Sequence, residues 1–241
     1  MLSIITPTYN RAYLLPRLYD SLTNQTCKEF EWIVIDDGSI DSTKELVERW
    51  KLENVFEIKY IYQENSGKYI AHNTGVLNAT GELCMCVDSD DYISNQCVEK
   101  ILNKWKIKEN SYLAGIIALK ATLDGRLIGN KFPEFLEEST LFELSEKYKN
   151  NSDKTLIYKT SILKKFLFPN FPNTKFITEC VVYDQIDKVY KSLLYNEILC
   201  YCEYQNDGYS KNYRKLMLNN PIGFNIYYLQ RIDLTGNLKE R

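Results

Sequence analysis

Apolar and polar positions alternate between two periods along the first hundred residues. Residues 2–6 form a short apolar run that ends at Pro7-Thr8-Tyr9-Asn10-Arg11. Proline cannot continue a central ladder, so the pattern predicts a strand followed by a loop. Leu14, Leu15, Leu18 and Leu22 follow at helical spacing, with Pro16 near the start. Residues 31–35 read as a second strand closed by the turn residues Asp36-Asp37-Gly38-Ser39. Asp41-Ser42-Thr43 then caps a helix that carries Leu46, Val47 and Trp50. A third strand over 56–62 leads into the polar loop 63–68, a helix over 69–77, Gly81, and a strand over 83–87 that runs into Asp88-Ser89-Asp90-Asp91. Such alternation requires a mainly parallel, right-handed α/β sheet, and it gathers the loops after Thr6, Ile35 and Val87 at one sheet edge.

Beyond Trp105 the pattern is less regular. It predicts a strand near 113–121, a turn at Asp124-Gly125 with Leu127-Ile128 resuming beyond it, and short strands within 151–163 and 196–204. Glu179 opens a helical segment containing Val182, Ile186 and Val189, and residues 213–232 read as helix broken at Asn220-Pro221. That tail is apolar on several faces, which predicts docking on its own domain, with a membrane or another subunit as the alternative surface. No repeat or linker divides the chain. The organisation expected is one domain over 1–241, with the regular alternation at 1–105, a less regular stretch at 106–205, and a loop plus C-terminal helices at 206–241.

Composition narrows the chemistry. The 241 residues carry a formal charge of −2, which argues against a long polyanion as partner and gives no sign of a general nucleic-acid groove. Seven cysteines without a CxxC pair, and one histidine, His72, argue for buried thiols rather than a zinc site. The amino terminus lacks a basic leader, and no stretch approaches the roughly 18 apolar residues needed to cross a bilayer. The expected location is cytoplasmic, at most peripheral to the inner face of the membrane.

The acidic run is the densest chemical signal. Three carboxylates in four residues repel one another, and a fold holds such a cluster together around a cation or a set of donors. Asp88, Asp90 and Asp91 offer hard oxygen ligands to Mg²⁺ or Mn²⁺, for which a diphosphate is the natural co-ligand; the ordinary alternative is a helix-capping turn. Asp36-Asp37 at the end of a strand can accept bonds from ribose or a base, Tyr9 can stack on a planar base, and Arg11 or Lys68 can meet phosphate. His72 reads as a helix residue satisfied within the fold. Glu179, at a helix start, is the leading general-base candidate, with Asp184 and Asp187 as alternatives.

Pro7-Thr8-Tyr9-Asn10-Arg11, Asp36-Asp37-Gly38-Ser39, Asn73-Thr74-Gly75 with Ala79-Thr80-Gly81-Glu82, and Asp88-Ser89-Asp90-Asp91 occur in this order. As a set, over residues 1–100, they resemble family 2 glycosyltransferases of the GT-A fold. The resemblance implies inverting transfer of a sugar from a nucleoside diphosphate donor, most often a UDP-sugar, to a glycan or lipid-linked acceptor of a bacterial surface polysaccharide, with Mn²⁺ or Mg²⁺ on the diphosphate. Pro7, Tyr9, Arg11, Asp37, Lys68, Asp88, Ser89 and Asp90 would then bind the donor nucleotide. Asp90 or Asp91 would hold the metal, and Glu179 would be the base. Residues 1–105 would be a Rossmann-like nucleotide-sugar-binding half and 106–205 an acceptor-binding half, and the segment 203–210 would close over the bound substrates. Two other classes compete: a sugar-phosphate nucleotidyltransferase, disfavoured because Pro7 to Arg11 contains no glycine, and a non-catalytic nucleotide-sugar-binding partner.

Overall fold

The computed structural model describes residues 1–108, 112–205, 208–209 and 212–235. The first half runs β1 (Leu2–Thr8), α1 (Leu15–Thr23), β2 (Phe30–Asp36), α2 (Thr43–Glu53), β3 (Glu57–Tyr62), α3 (Lys68–Asn78) and β4 (Leu83–Cys86). The second runs β5 (Tyr92–Ile93), α4 (Cys97–Lys108), β6 (Leu113–Thr122), β7 (Glu138–Ser139), α5 (Leu141–Glu146), β8 (Lys154–Lys159), α6 (Thr160–Leu163), α7 (Cys180–Asp187), β9 (Lys191–Cys202), α8 (Tyr213–Asn219) and α9 (Pro221–Thr235).

One sheet runs through both halves in the order β3-β2-β1-β4-β8-β6-β9-β5, with β7 pairing β9. The parallel α/β arrangement expected from the alternation occupies β3-β2-β1-β4, where Ile5 pairs with Ile33 on one side and Cys86 on the other. β8 enters antiparallel to both β4 and β6, so the second half is mixed. β1 and β2 are buried throughout because helices cover both sheet faces. Side-chain alternation sends Ile4, Trp32 and Val34 into a core with α1, α2 and α4, and Ile5, Ile33 and Ile35 into a second core with α3 and α7. Gly75 permits the close seat of α3, since a Cβ there would lie 2.8 Å from Ile35 Cδ1 and 3.0 Å from Ile5 Cβ.

Two local expectations are corrected. β1 continues through Pro7 to Thr8, paired to β2. Pairing with β4 ends at Ile5 and Cys86, apart from the Val87 N–H donating to Ile5 O at 3.0 Å, so the missing proline N–H interrupts no bond on that side. Residues 151–163 also divide: the strand stops at Lys159, and Thr160–Leu163 is a helical turn begun by Thr160 N donating to Glu82 O. The tail docks on its own domain through Phe224, Ile226 and Tyr227. No helix among the described residues is long and apolar enough to cross a membrane, and the seven cysteines are free.

Candidate active site

The loops after β1 and β2 are bound to each other before they meet anything else. Asn10, at φ 52°, donates its N–H to Ser39 Oγ at 2.8 Å and accepts from Ile40 N at 2.9 Å. Asp41 accepts from Ala12 N at 3.0 Å and from Thr43 N and Oγ1, which joins the first loop to the start of α2. Tyr9 and Arg11 are thereby carried to the C-terminal edge of the parallel strands, where they line a cleft of about 1260 Å³.

Asp37 organises the next wall. It is 4% exposed, and its carboxylate accepts from Gln63 Nε2 at 2.7 Å, Ser66 N at 2.8 Å, Gly67 N at 2.8 Å and Asn65 Nδ2 at 3.2 Å. Four donors fill the four acceptor positions of a carboxylate. A ligand donor would therefore displace the longest of them, Asn65. Gly67 takes φ +95°, a region that favours glycine, and brings the loop against Lys175, whose carbonyl oxygen a Cβ would meet at 2.2 Å.

Lys68 begins α3 immediately after this loop. Its ammonium lies 2.8 Å from Asp88 and 2.9 Å from Glu179, joining the end of β4 to the start of α7. Burial opposes both charges of the Lys68–Asp88 pair, yet their attraction wins. Lys68 is held well above the usual lysine range, and Lys68 and Lys120 hold Asp88 below the usual carboxylate range. Glu179 is half exposed at 49% of its side chain, at the N-cap of α7. Asp91 is 3% exposed and paired with Lys120 at 2.9 Å; burial pushes its carboxyl up against the pull of that ammonium. Asp90 forms no ion pair among the described residues. Burial and the neighbouring Asp88 push its carboxyl upward, while Arg17 donates to its main-chain oxygen.

Pro7, Tyr9, Arg11, Asp37, Lys68, Asp88, Ser89, Asp90, Asp91 and Glu179 thus all line one cleft. The alternatives to Glu179 do not. Asp184 is buried and pairs with Arg231 at 2.9 Å, and Asp187 accepts from Phe142 N at 2.9 Å. His72 lies below Lys68 on α3, edge-on to Phe168, and burial pushes it down to about 4. The expectation of a helix residue satisfied within the fold is corrected in one respect: burial disfavours its charge, but its Nδ1 has no hydrogen-bond partner among the described residues.

The model of glycosyl transferase family 2 matches residues 3–167, more than half of the chain. The chain belongs to this family. Among curated relatives of this family 2 chain, GlyA of Streptococcus pneumoniae is 39% identical over 103 residues, covering 43% of this chain and 15% of GlyA. The poly(ribitol-phosphate) β-N-acetylglucosaminyltransferase TarS of Staphylococcus aureus is 30% identical over 164 residues, 67% of this chain and 28% of TarS. The chain thus spans less than a third of the length of either relative. The fold is that of the TarS fragment 1–349 solved with UDP (TM-score 0.65, 24% identity, 90% of this chain and 64% of that one). It is shared by the mannosyltransferase PcManGT of Pyrobaculum calidifontis, solved with GDP-Man and Mn²⁺ (TM-score 0.63, 19% identity, 89% and 60%).

The metal expectation fits this family 2 cleft in one form. No group of three or more histidine, cysteine or acidic side chains among the described residues is arranged to hold an ion. The arrangement suits an ion held by one or two carboxylates and completed by phosphate oxygens and water. Asp90 offers such a carboxylate.

Sequence reasoning missed several parts of the cleft. Lys120 was detectable as the one charge in the apolar run of β6. Lys154 and the α9 residues Tyr227, Tyr228 and Arg231 gave no local signal of a place in the cleft, because tertiary packing alone brings them there; Arg17 does not line it but holds the main chain of Asp90 from outside. Of the anticipated closing segment, Glu203, Tyr204, Gln205, Gly208 and Tyr209 line the cleft, whereas Asn206, Asp207 and Ser210 lie outside the described residues.

Proposed function

We propose that this chain is the catalytic unit of an inverting glycosyltransferase. It moves a hexosyl or N-acetylhexosaminyl group from a nucleoside diphosphate donor, of the UDP class, to a hydroxyl of a glycan or lipid-linked acceptor in surface-polysaccharide synthesis. The observation that carries this reading is Lys68 joining Asp88 and Glu179 in the cleft that also holds Tyr9 and Asp90. The UDP and GDP-Man complexes of the structural neighbours and the acceptor named for TarS support the donor class and the setting. The free cysteines suit a reducing, cytoplasmic compartment.

Each residue has a task in this reading. Tyr9 stacks on the base, Pro7 and Ser89 shape the floor beneath the nucleotide, and Asp37 and Asp88 receive base and ribose donors. The diphosphate draws the Lys68 ammonium towards itself with help from Arg11, which leaves Glu179 free to act. Glu179 takes the proton of the acceptor hydroxyl as its oxygen bonds to the anomeric carbon and the bond to the diphosphate breaks. One displacement inverts that centre. Asp90 would hold a divalent cation, Mn²⁺ or Mg²⁺, whose charge offsets the negative charge growing on the leaving diphosphate. Asp91 places Lys120 at the back of the site.

Calorimetry with UDP, GDP and their sugar conjugates, with and without Mn²⁺, tests the donor assignment, and Glu179→Gln tests the base. The variant is expected to bind donor normally and lose turnover by about a hundredfold or more. Near-normal turnover would remove the base role from Glu179, and no nucleotide binding at all would overturn the donor assignment.

A further inference from the structure

We propose that Asn220, at the elbow between α8 and α9, is the positioning residue that sets Glu179. The inference rests on Glu179 being the base, but the contact itself is independent of that role. Glu179 ends the loop that leads into α7, and the backbone of this loop is gripped by a residue far along the chain from the donor motifs. Asn220 is 6% exposed. Its Oδ1 accepts from both Lys175 N, at 2.9 Å, and Phe176 N, at 3.0 Å. Its Nδ2 donates to Leu216 O at 3.0 Å, so the amide is fixed at both ends and cannot swing away from the loop.

The elbow presses on the same stretch through α9. Gly223 brings that helix against Phe176, where a Cβ would stand 2.4 Å from the carbonyl oxygen. The Phe176 ring stacks on Phe224 at 5.7 Å and meets Tyr209 edge-on at 5.0 Å. On the opposite side, Tyr69 Oη donates to Thr174 O at 3.0 Å, and Lys175 donates its ammonium to Asn65 O. Residues 174–176 are thus held between the donor loop and the elbow. Only the buried Ile177 and Thr178 separate the clamp from Glu179, which is too little chain to absorb a displacement. The four bonds to Asp37 hold the donor loop without help from Asn220. Loosening the elbow should therefore move the base while sparing the nucleotide.

The test compares Asn220→Ala, Gly223→Ala and Glu179→Gln in the full chain. It uses hydrogen exchange of residues 174–177, UDP affinity with Mn²⁺, and turnover of the nucleotide-sugar selected by the binding screen. Asn220→Ala should speed exchange at Lys175 and Phe176 by about tenfold or more. It should leave UDP affinity within about threefold and lower turnover roughly ten- to a hundredfold, as expected for a misplaced catalytic group. Gly223→Ala, which keeps Asn220 and displaces the loop from α9, should behave alike and carries the test if Asn220→Ala fails to fold. Glu179→Gln should lose turnover with wild-type exchange. Fast exchange with wild-type turnover in Asn220→Ala would overturn the proposal, as would loss of UDP affinity in step with turnover. Normal turnover in Glu179→Gln would instead remove the base reading, leaving exchange to decide whether Asn220 holds the loop.

Discussion

Asp90 and Glu31 show how differently one charge can be treated within a single fold. Asp90 lines the cleft, unpaired among the described residues, with burial and Asp88 both opposing its charge. Its removal should abolish the gain in UDP affinity that Mn²⁺ brings while the melting temperature stays level or rises. Calorimetry and a thermal melt check both halves of that expectation, and metal-dependent affinity unchanged in Asp90→Ala would pass the ligand role elsewhere. Glu31 lies near the other end of the parallel strands, fully buried. It accepts from Ser3 Oγ at 2.6 Å and from Thr80 N and Oγ1 at 2.7 Å, and it pairs with Lys59. Burial raises its pKa, but Lys59 and these donors outweigh burial and take it from 4.5 to about 2. Because the folded value is depressed, the stabilisation is complete above 4.5 and is lost as pH falls towards 2. The shift corresponds to on the order of 3 kcal/mol. Glu31→Gln should cost about that much at neutral pH and flatten the acid limb of a denaturant series. An acid limb identical to wild type would contradict it.

At the scale of elements, α3 connects core to cleft. Its Gly75 face rests on Ile5 and Ile35, and its first residue is Lys68. Gly75→Ala would insert a methyl into a packed contact and should destabilise by about 1–3 kcal/mol. If α3 shifts outward to accept the methyl, UDP affinity falls with stability; chemical denaturation and calorimetry on the same variant read both. The loops after β1 and β2 were recognisable from proline, aspartate and glycine chemistry, because turn preferences are local. β5, β7 and α5 were not, since two-residue strands and a six-residue helix carry too few positions to show a period. β6 was legible as a strand, but its place between β8 and β9 depends on pairings between distant segments.

Across the whole molecule, the parallel half brings the loops after β1, β2 and β4 to one edge, and the mixed half supplies the opposite wall from α7, β9 and α9. A donor held by both walls should raise the melting temperature, and by linkage the rise should grow with UDP concentration only when Mn²⁺ is present. An equal rise without metal would separate nucleotide binding from Asp90. The alternating periods, the turn residues and the acidic run determined, by sequence alone, the α/β class, the three converging loops and the residues these loops carry into the cleft. These features are encoded within a few positions of one another. Only the tertiary structure decided that Lys68 lies between Asp88 and Glu179, that Asp91 is answered by Lys120, that Asp184 and Asp187 are occupied in packing, and that Asn220 holds the loop before Glu179. These partners are far apart in the chain, and no local preference specifies which side chains meet. Sheet order and helix docking choose them, because a buried charge or amide is stable only where a complementary group arrives from another element.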